Sequence, residues 1–280
     1  MISVIFCPFG RKVCPNDKVL TEFWASLPVA KIYTELVNIL SQDALDQGRL
    51  TDYDFEKAAS WIQDCRSNHK DMCSDSKTDF LPTRLVEVAL DGDKITARLR
   101  HRTMIQSGTE YLTLSHCWGN SEFYTLTEQN VDSMTNSIPV DKLPPVFVDA
   151  LYVTTQLGHS YIWIDSLCII QGGSENCHGS DWAMEGSMMD SIYGNSICNL
   201  AATGFADGQS SLFAPPTLRE RLPPKIQCHS RKSNSGMRNY FLADARDWMT
   251  NIKLGPLHSR AWVWQEQMLV RLNIISCEVG

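Results

Sequence analysis

The sequence predicts an α/β fold: a mostly parallel sheet flanked by helices, with a helical N-terminal region and a β-hairpin ahead of it. Three observations lead there. From residue 111 onward, short apolar runs alternate with helix-length amphipathic segments, an order that buries itself by parallel pairing with right-handed crossovers. The run at 161–170 is almost continuously apolar, as suits a strand covered on both faces. Residues 84–90 and 94–99 alternate in polarity around Asp91-Gly92-Asp93, a tight-turn signal.

In chain order, residues 1–80 read as a helical region. Ala30, Ile32, Tyr33, Leu36, Ile39 and Leu40 recur at helical spacing, and Phe55, Ala58, Ala59, Ile62 and Cys65 do so again. Residues 81–280 form the second unit, with a core over 111–203 and 257–278 and a loop-rich excursion over 204–257. Within the core, 111–115 is a short strand running into Trp118-Gly119-Asn120. Pro145 opens a helix whose Phe147, Ala150, Leu151, Thr154 and Leu157 share a face, and Gly158 ends it in a left-handed cap. The strand at 161–170 follows, then a polar loop, a helix over 181–195 capped by Ser180 or Asp181, and a strand over 196–203. A helix over 259–269 and the apolar segment 272–276 complete the core.

Apolar residues make up 43% and charged residues 20% of the 280, an ordinary globular composition. Twenty-five basic against 32 acidic side chains leave a net charge of −7, so the chain lacks the positive field that non-specific nucleic-acid binding needs, and neither nucleic acid nor membrane is expected as a partner. The longest apolar runs fall well short of the roughly 20 residues that cross a bilayer. Ile2 to Phe6 is too short an apolar stretch for a secretory signal. Ten cysteines are scattered irregularly, several of them inside apolar segments where a thiol behaves as a small hydrophobe, which fits a reducing cytoplasm.

Ligands of parallel sheets bind beyond the carboxyl ends of the strands. This rule selects Ser115 to Asn120 after one strand, the loop after the next, and Glu185 one turn inside the following helix. Glu185 shares a helical face with Met189 and Ile192, which places its carboxylate at the border of an apolar surface where desolvation favours acid or base work. The same spacing also fits an exposed glutamate favoured by the helix dipole. Asp165 interrupts the most apolar run and must be paired or hydrogen-bonded if buried. Arg260 would serve as its partner. Trp118, Trp163, Trp182, Trp262 and Trp264 cluster in these segments, where packing is the default and stacking on a planar ring the alternative.

Cys65, His69 and Cys73 are zinc-ligand candidates at a C-x3-H-x3-C spacing, with Cys7 or Cys14 to complete a set. The spacing is not that of a common finger or ribbon, and no metal or other cofactor is expected. His116 and Cys117 are adjacent on a strand and so point to opposite faces, against a thiol nucleophile with its base. No P-loop, G-x-G-x-x-G or G-x-S-x-G motif occurs. The basic stretch 219–238 reads as a solvated loop.

Taken together, the segments Tyr111-Leu-Thr-Leu-Ser-His-Cys-Trp-Gly119, Tyr161-Ile-Trp-Ile-Asp-Ser-Leu-Cys-Ile-Ile-Gln171, Asp181-Trp182 with Glu185, Met189, Ile192 and Tyr193, and Ser259-Arg-Ala-Trp-Val-Trp-Gln-Glu266 resemble the fungal heterokaryon incompatibility (HET) domain. Trp61, Cys65, His69, Cys73 and Leu81-Pro-Thr-Arg84 are similar to the lead-in that precedes it. The resemblance implies a module of self/non-self recognition and programmed cell death, distantly similar to Toll/interleukin-1 receptor (TIR) domains with their flavodoxin-like sheet. Some TIR domains cleave the nicotinamide glycosidic bond of NAD with a helix glutamate, and Glu185 holds a comparable place. By that likeness NAD is a substrate and Glu185 the catalytic carboxylate. Ser115, Trp118 and Gly119 form the pocket floor, and Asp165, Trp182, Arg260 and Glu266 line or organise its walls. The alternatives are a non-catalytic TIR-like signalling or assembly module and a zinc-stabilised regulatory protein. Self-association or an incompatibility partner protein is expected, in the cytoplasm.

Overall fold

A computed structural model describes residues 4–6, 55–68, 79–171, 175–213, 225–229, 237–241, 254–260, 263, 266, 269–270 and 272–276. The strands in chain order are β1 (Val4–Phe6), β2 (Arg84–Asp91), β3 (Lys94–His101), β4 (Leu112–Ser115), β5 (Tyr161–Trp163), β6 (Cys198–Ala202), β7 (Lys225–His229), β8 (Met237–Phe241) and β9 (Asn273–Ser276). The helices are α1 (Phe55–Asn68), α2 (Val131–Asn136), α3 (Pro145–Gln156), α4 (Asp165–Cys168), α5 (Glu175–Gly186) and α6 (Met189–Gly194).

The fold is α/β, as the alternation requires. A seven-stranded sheet runs β1-β9-β6-β4-β5-β2-β3. Its four central strands, β9, β6, β4 and β5, are mutually parallel. Both margins are antiparallel, with β1 on β9 and the β2–β3 hairpin on β5. The hairpin forms as its alternation predicts, with Gly92 at φ +59° in the turn. Proline at the first turn of α3 and Gly158 at φ +81° after it bound that helix as expected.

β4 comes first of the parallel strands, with β5 on one side and β6 on the other. The β4-to-β5 and β5-to-β6 connections therefore run in opposite directions, which makes the carboxyl ends of β4 and β6 the topological switch point where ligands of such sheets bind. Side-chain alternation confirms the two layers. His116, in phase with Leu112 and Leu114, meets Phe147 of α3 at a ring separation of 4.7 Å. Ser115, on the other face, hydrogen-bonds with Tyr193 of α6.

Three boundaries differ from expectation. The apolar run at 161–170 is not one strand: β5 ends at Trp163, and the carbonyl of Ile164 accepts from the N–H groups of Leu167 and Cys168 to form the single turn α4. Ile164, Leu167, Cys168 and Ile169 are all fully buried, and a buried run does not distinguish strand from helix by periodicity. The helix expected at 181–195 is two, α5 and α6, broken at Ser187 and Met188. It starts six residues early, so Asp181 is not a cap. Its carboxylate is taken up by Arg84 and by the N–H of Ile170. Within the loop-rich excursion, β7 and β8 pair as a separate antiparallel hairpin.

Of the helical region at 1–80, Phe55–Asn68 is helical and sets Ile62 and Cys65 into the core, while Val4–Phe6 is a strand. The helix read at 30–40 lies outside the described residues. Of the helix read at 259–269, residues 263, 266 and 269 are helical after a 3-10 turn at Pro256–Ser259.

One face of the parallel core carries a buried polar ladder. Thr113, Asn199 and Asn273 stand in register across β4, β6 and β9. The Asn199 carbonyl accepts from Thr113 Oγ1 at 3.0 Å and Ser115 Oγ at 3.1 Å, and its amide donates to Asn273 Oδ1 at 2.9 Å. Each bond joins two buried polar groups, and losing a partner there costs roughly 1–3 kcal/mol. Asn199→Ala is therefore expected to destabilise the fold by about 3 kcal/mol, read from the midpoint of urea unfolding, whereas an exposed control such as Glu122→Ala leaves that midpoint in place.

Candidate functional site

At the carboxyl end of β4 the chain turns through His116, Cys117, Trp118 and Gly119. Asp165 follows β5 by one residue and is 4% exposed. Its Oδ2 accepts from the indole N–H of Trp118 at 2.9 Å, and its Oδ1 from the N–H of Ser166 at 2.7 Å. The Arg260 guanidinium, read from the sequence as a partner for Asp165, places Nη2 3.6 Å from Oδ2. Arg260 also donates to the carbonyl of His116 and stands 4.0 Å from Glu266 Oε1. The segment carrying Arg260 is held to the sheet where the N–H of Leu257, fully buried, reaches the Thr203 carbonyl beyond β6.

Glu266 is 2% exposed. Burial pushes its carboxyl up to about 7, against the opposing pull of Arg260 and a hydrogen bond with Ser115, and Asp165 adds to the rise. Its Oε2 has no hydrogen-bond partner among the described residues. Tyr193 is raised well above its ordinary value by burial and by the Glu266 and Asp165 charges. Burial lowers His116 to about 4, so its 3.8 Å approach to Asp165 is a contact of a neutral imidazole. That ring packs among Phe147, Phe123 and Trp118, with Trp118 nearly parallel to it. Burial raises the Cys117 thiol, which suits an inert side chain.

A second cluster stands at the other end of α4. Arg84, from the start of β2, donates Nε to the Cys168 carbonyl at 2.6 Å and Nη2 to both oxygens of Asp181 at 2.7 and 2.6 Å. Glu185 belongs to this cluster. It is fully buried, with Oε1 3.8 Å from Arg84 Nη2 and no hydrogen bond of ordinary geometry to either oxygen. Burial raises its carboxyl above the ordinary value, while Thr83, Arg84 and Arg102 pull the other way. Trp182 donates to Gln171 Oε1 at 3.0 Å. A cavity of about 400 Å³ beside Arg102 is lined by Asp79, Phe80, Leu81, Ile105 and Ser107.

Of the residues selected from the sequence, then, Ser115, Trp118, Asp165, Arg260 and Glu266 meet in one cluster. Glu185 and Trp182 sit in the other, around Arg84 and the 169–171 segment. Arg84 was not selected as a site residue. Its signal is its place at the end of the Leu81-Pro-Thr-Arg84 lead-in, where the alternating strand β2 begins. His69 and Cys73 lie outside the described residues, and Cys65 is buried on α1. Among the described residues, no three His, Cys, Asp or Glu side chains are grouped to hold a metal ion.

Residues 111–266 match the family described as Heterokaryon incompatibility protein (HET), beginning at the residue before β4 and ending at Glu266. The chain belongs to this family. Neither a curated protein nor a solved structure matches it. The HET match takes in both carboxylate clusters except Thr83, Arg84 and Arg102, which come from before the matched residues. No helix among the described residues is long and apolar enough to cross a membrane.

Gly119 is required by geometry. Its φ is +67°, and a Cβ there would lie 2.4 Å from Asp207 Cβ. Gly119→Ala is expected to lower stability by roughly 1–3 kcal/mol from backbone strain alone, with the clash in addition; a thermal unfolding curve superimposable on wild type would contradict this.

Glu266 also makes stability pH-dependent. Its folded-state pKa of about 7 exceeds the ordinary 4.5, so the folded chain binds more protons between those values and stability falls as pH rises through the window. His116 acts oppositely between about 4 and 6.5, because there the unfolded chain binds more protons. Above pH 6.5 the opposing His116 effect has largely ended. Urea unfolding from pH 6.5 to 8 is expected to show a loss of about 1 kcal/mol that Glu266→Gln abolishes.

Proposed function

We propose that this HET domain executes a self/non-self incompatibility response in the cytoplasm by hydrolysing NAD, with cell death as the outcome. One observation carries the reading. An indole, a guanidinium and two buried carboxylates converge at the carboxyl end of β4, where the crossovers diverge. An α/β sheet binds nucleotides at such a place. The parallel strands follow the order second, first, third, fourth, which supports likeness to the TIR and flavodoxin-like sheets.

In this reading Trp118, Ser115 and Gly119 form the floor beneath the nicotinamide ribose, and Arg260 faces the dinucleotide's negative charge. Asp165 holds Arg260 in place, Glu266 lines the wall beside them, and Trp182 fixes the neighbouring 169–171 segment. Glu185 supplies the carboxylate that holds the ribose hydroxyls and stabilises positive charge as the glycosidic bond breaks. Activation accompanies self-association or engagement of an incompatibility partner, which opens the buried cluster at Arg84.

A second reading, assembly without catalysis, is favoured by the surroundings of Glu185. A carboxylate without exposed surface, packed against Arg84 and Asp181, is also what a structural tie between β2 and α5 looks like. The two readings part in one experiment. Purified protein, alone and under enforced oligomerisation, is incubated with NAD and nicotinamide release is followed. Catalysis predicts release that falls by at least about 100-fold in a folded Glu185→Gln variant. Cell killing that persists in that variant, without NAD loss, would establish assembly instead.

A further inference from the structure

We propose that Glu266 is the general base of the cleft, taking the proton from the water that attacks C1′ of the nicotinamide ribose. The inference rests on the NAD-hydrolysis reading and extends it with a division of labour between two carboxylates. Glu185 steadies the ribose, and Glu266 handles the proton.

Geometry carries the assignment. Glu266 projects from helical turns in which Val263 and Glu266 are both buried, and it faces Ser115 at the end of β4, where a ligand of this sheet would lie. One side of the carboxylate is engaged, by Ser115 and by Arg260 at 4.0 Å. The other oxygen, Oε2, is buried without a partner among the described residues. A buried acceptor left open beyond the carboxyl end of β4 is a place for water or a substrate hydroxyl. The ionisable groups facing Glu266 are Arg260 and Asp165, with Tyr193 on α6 and Cys117 after β4. With burial, they bring its titration close to neutrality, where a base works best. Glu185 is differently placed, since its charged neighbours are Arg84, Asp181 and Arg102.

The step balances. The C1′–N bond breaks and its electron pair stays on the ring nitrogen, so nicotinamide leaves neutral. The water oxygen bonds to C1′, and one water proton passes to Glu266 and then to solvent. The products are ADP-ribose, nicotinamide and a proton.

A nucleophile that carries no proton to lose makes the test. The intact chain is given NAD with and without 3-acetylpyridine, which replaces nicotinamide at C1′ without a base. In Glu266→Gln, hydrolysis to ADP-ribose is expected to fall by about 100-fold or more while base exchange stays within about threefold of wild type. The rise in wild-type hydrolysis near pH 7 is expected to disappear. Glu266→Asp keeps a carboxylate at shorter reach and is expected to recover part of the hydrolysis. Equal loss of hydrolysis and exchange in Glu266→Gln, or undiminished hydrolysis, would overturn the role of Glu266 and leave NAD cleavage standing. A wild-type protein that releases no nicotinamide in either assay overturns both.

Discussion

A carboxylate placed at the end of a buried strand must be met by donors, and Asp165 is met from three directions. The indole of Trp118 comes from beyond β4, the N–H of Ser166 from the turn that Asp165 itself starts, and the guanidinium of Arg260 from a segment 95 residues later in the chain. Satisfying this one group fixes the path of the chain after β4, the winding of α4 and the docking of the C-terminal helical turns. Arg260 then brings Glu266 with it. The carboxyl edge of the sheet thus holds two carboxylates removed from water, Asp165 and Glu266.

The single turn α4 separates two buried ionic groups of different character. At its start, Asp165 and Glu266 share one cation, Arg260. At its end, Arg84 ties the Cys168 carbonyl to Asp181 on α5, with Glu185 close by. The first group includes a carboxyl poised near neutrality with one open oxygen, and the second joins Arg84 Nη2 to both oxygens of Asp181 beside a Glu185 whose two oxygens are open.

Local signals recovered most of the architecture. The β2–β3 hairpin, α3 with its Pro145 and Gly158 boundaries, and the short strands at β4 and β6 follow from polarity alternation and backbone-restricted residues, which act within a few positions of themselves. The apolar run at 161–170 failed for a related reason. When every side of a segment is buried, no polar face remains to report whether the backbone is extended or wound. The early start of α5 was hidden because its first turns are polar and resemble a loop. The antiparallel margins, β1 on β9 and β2 on β5, were equally hidden, since edge pairing depends on partners distant in sequence.

The chain alone determined the family and the cast of polar residues, because the blocks from Tyr111 to Glu266 are contiguous stretches whose residue types stand together in sequence. It also selected Asp165 and Arg260 as partners, since a charge inside an apolar run demands an opposite one. Tertiary structure decided which charges share a cluster. It set Glu185 beside Arg84, 101 positions away, and Glu266 beside Ser115, 151 positions away. Those meetings arise from the strand order and the direction of each crossover, and long-range pairing of that kind leaves no periodic trace in the local sequence.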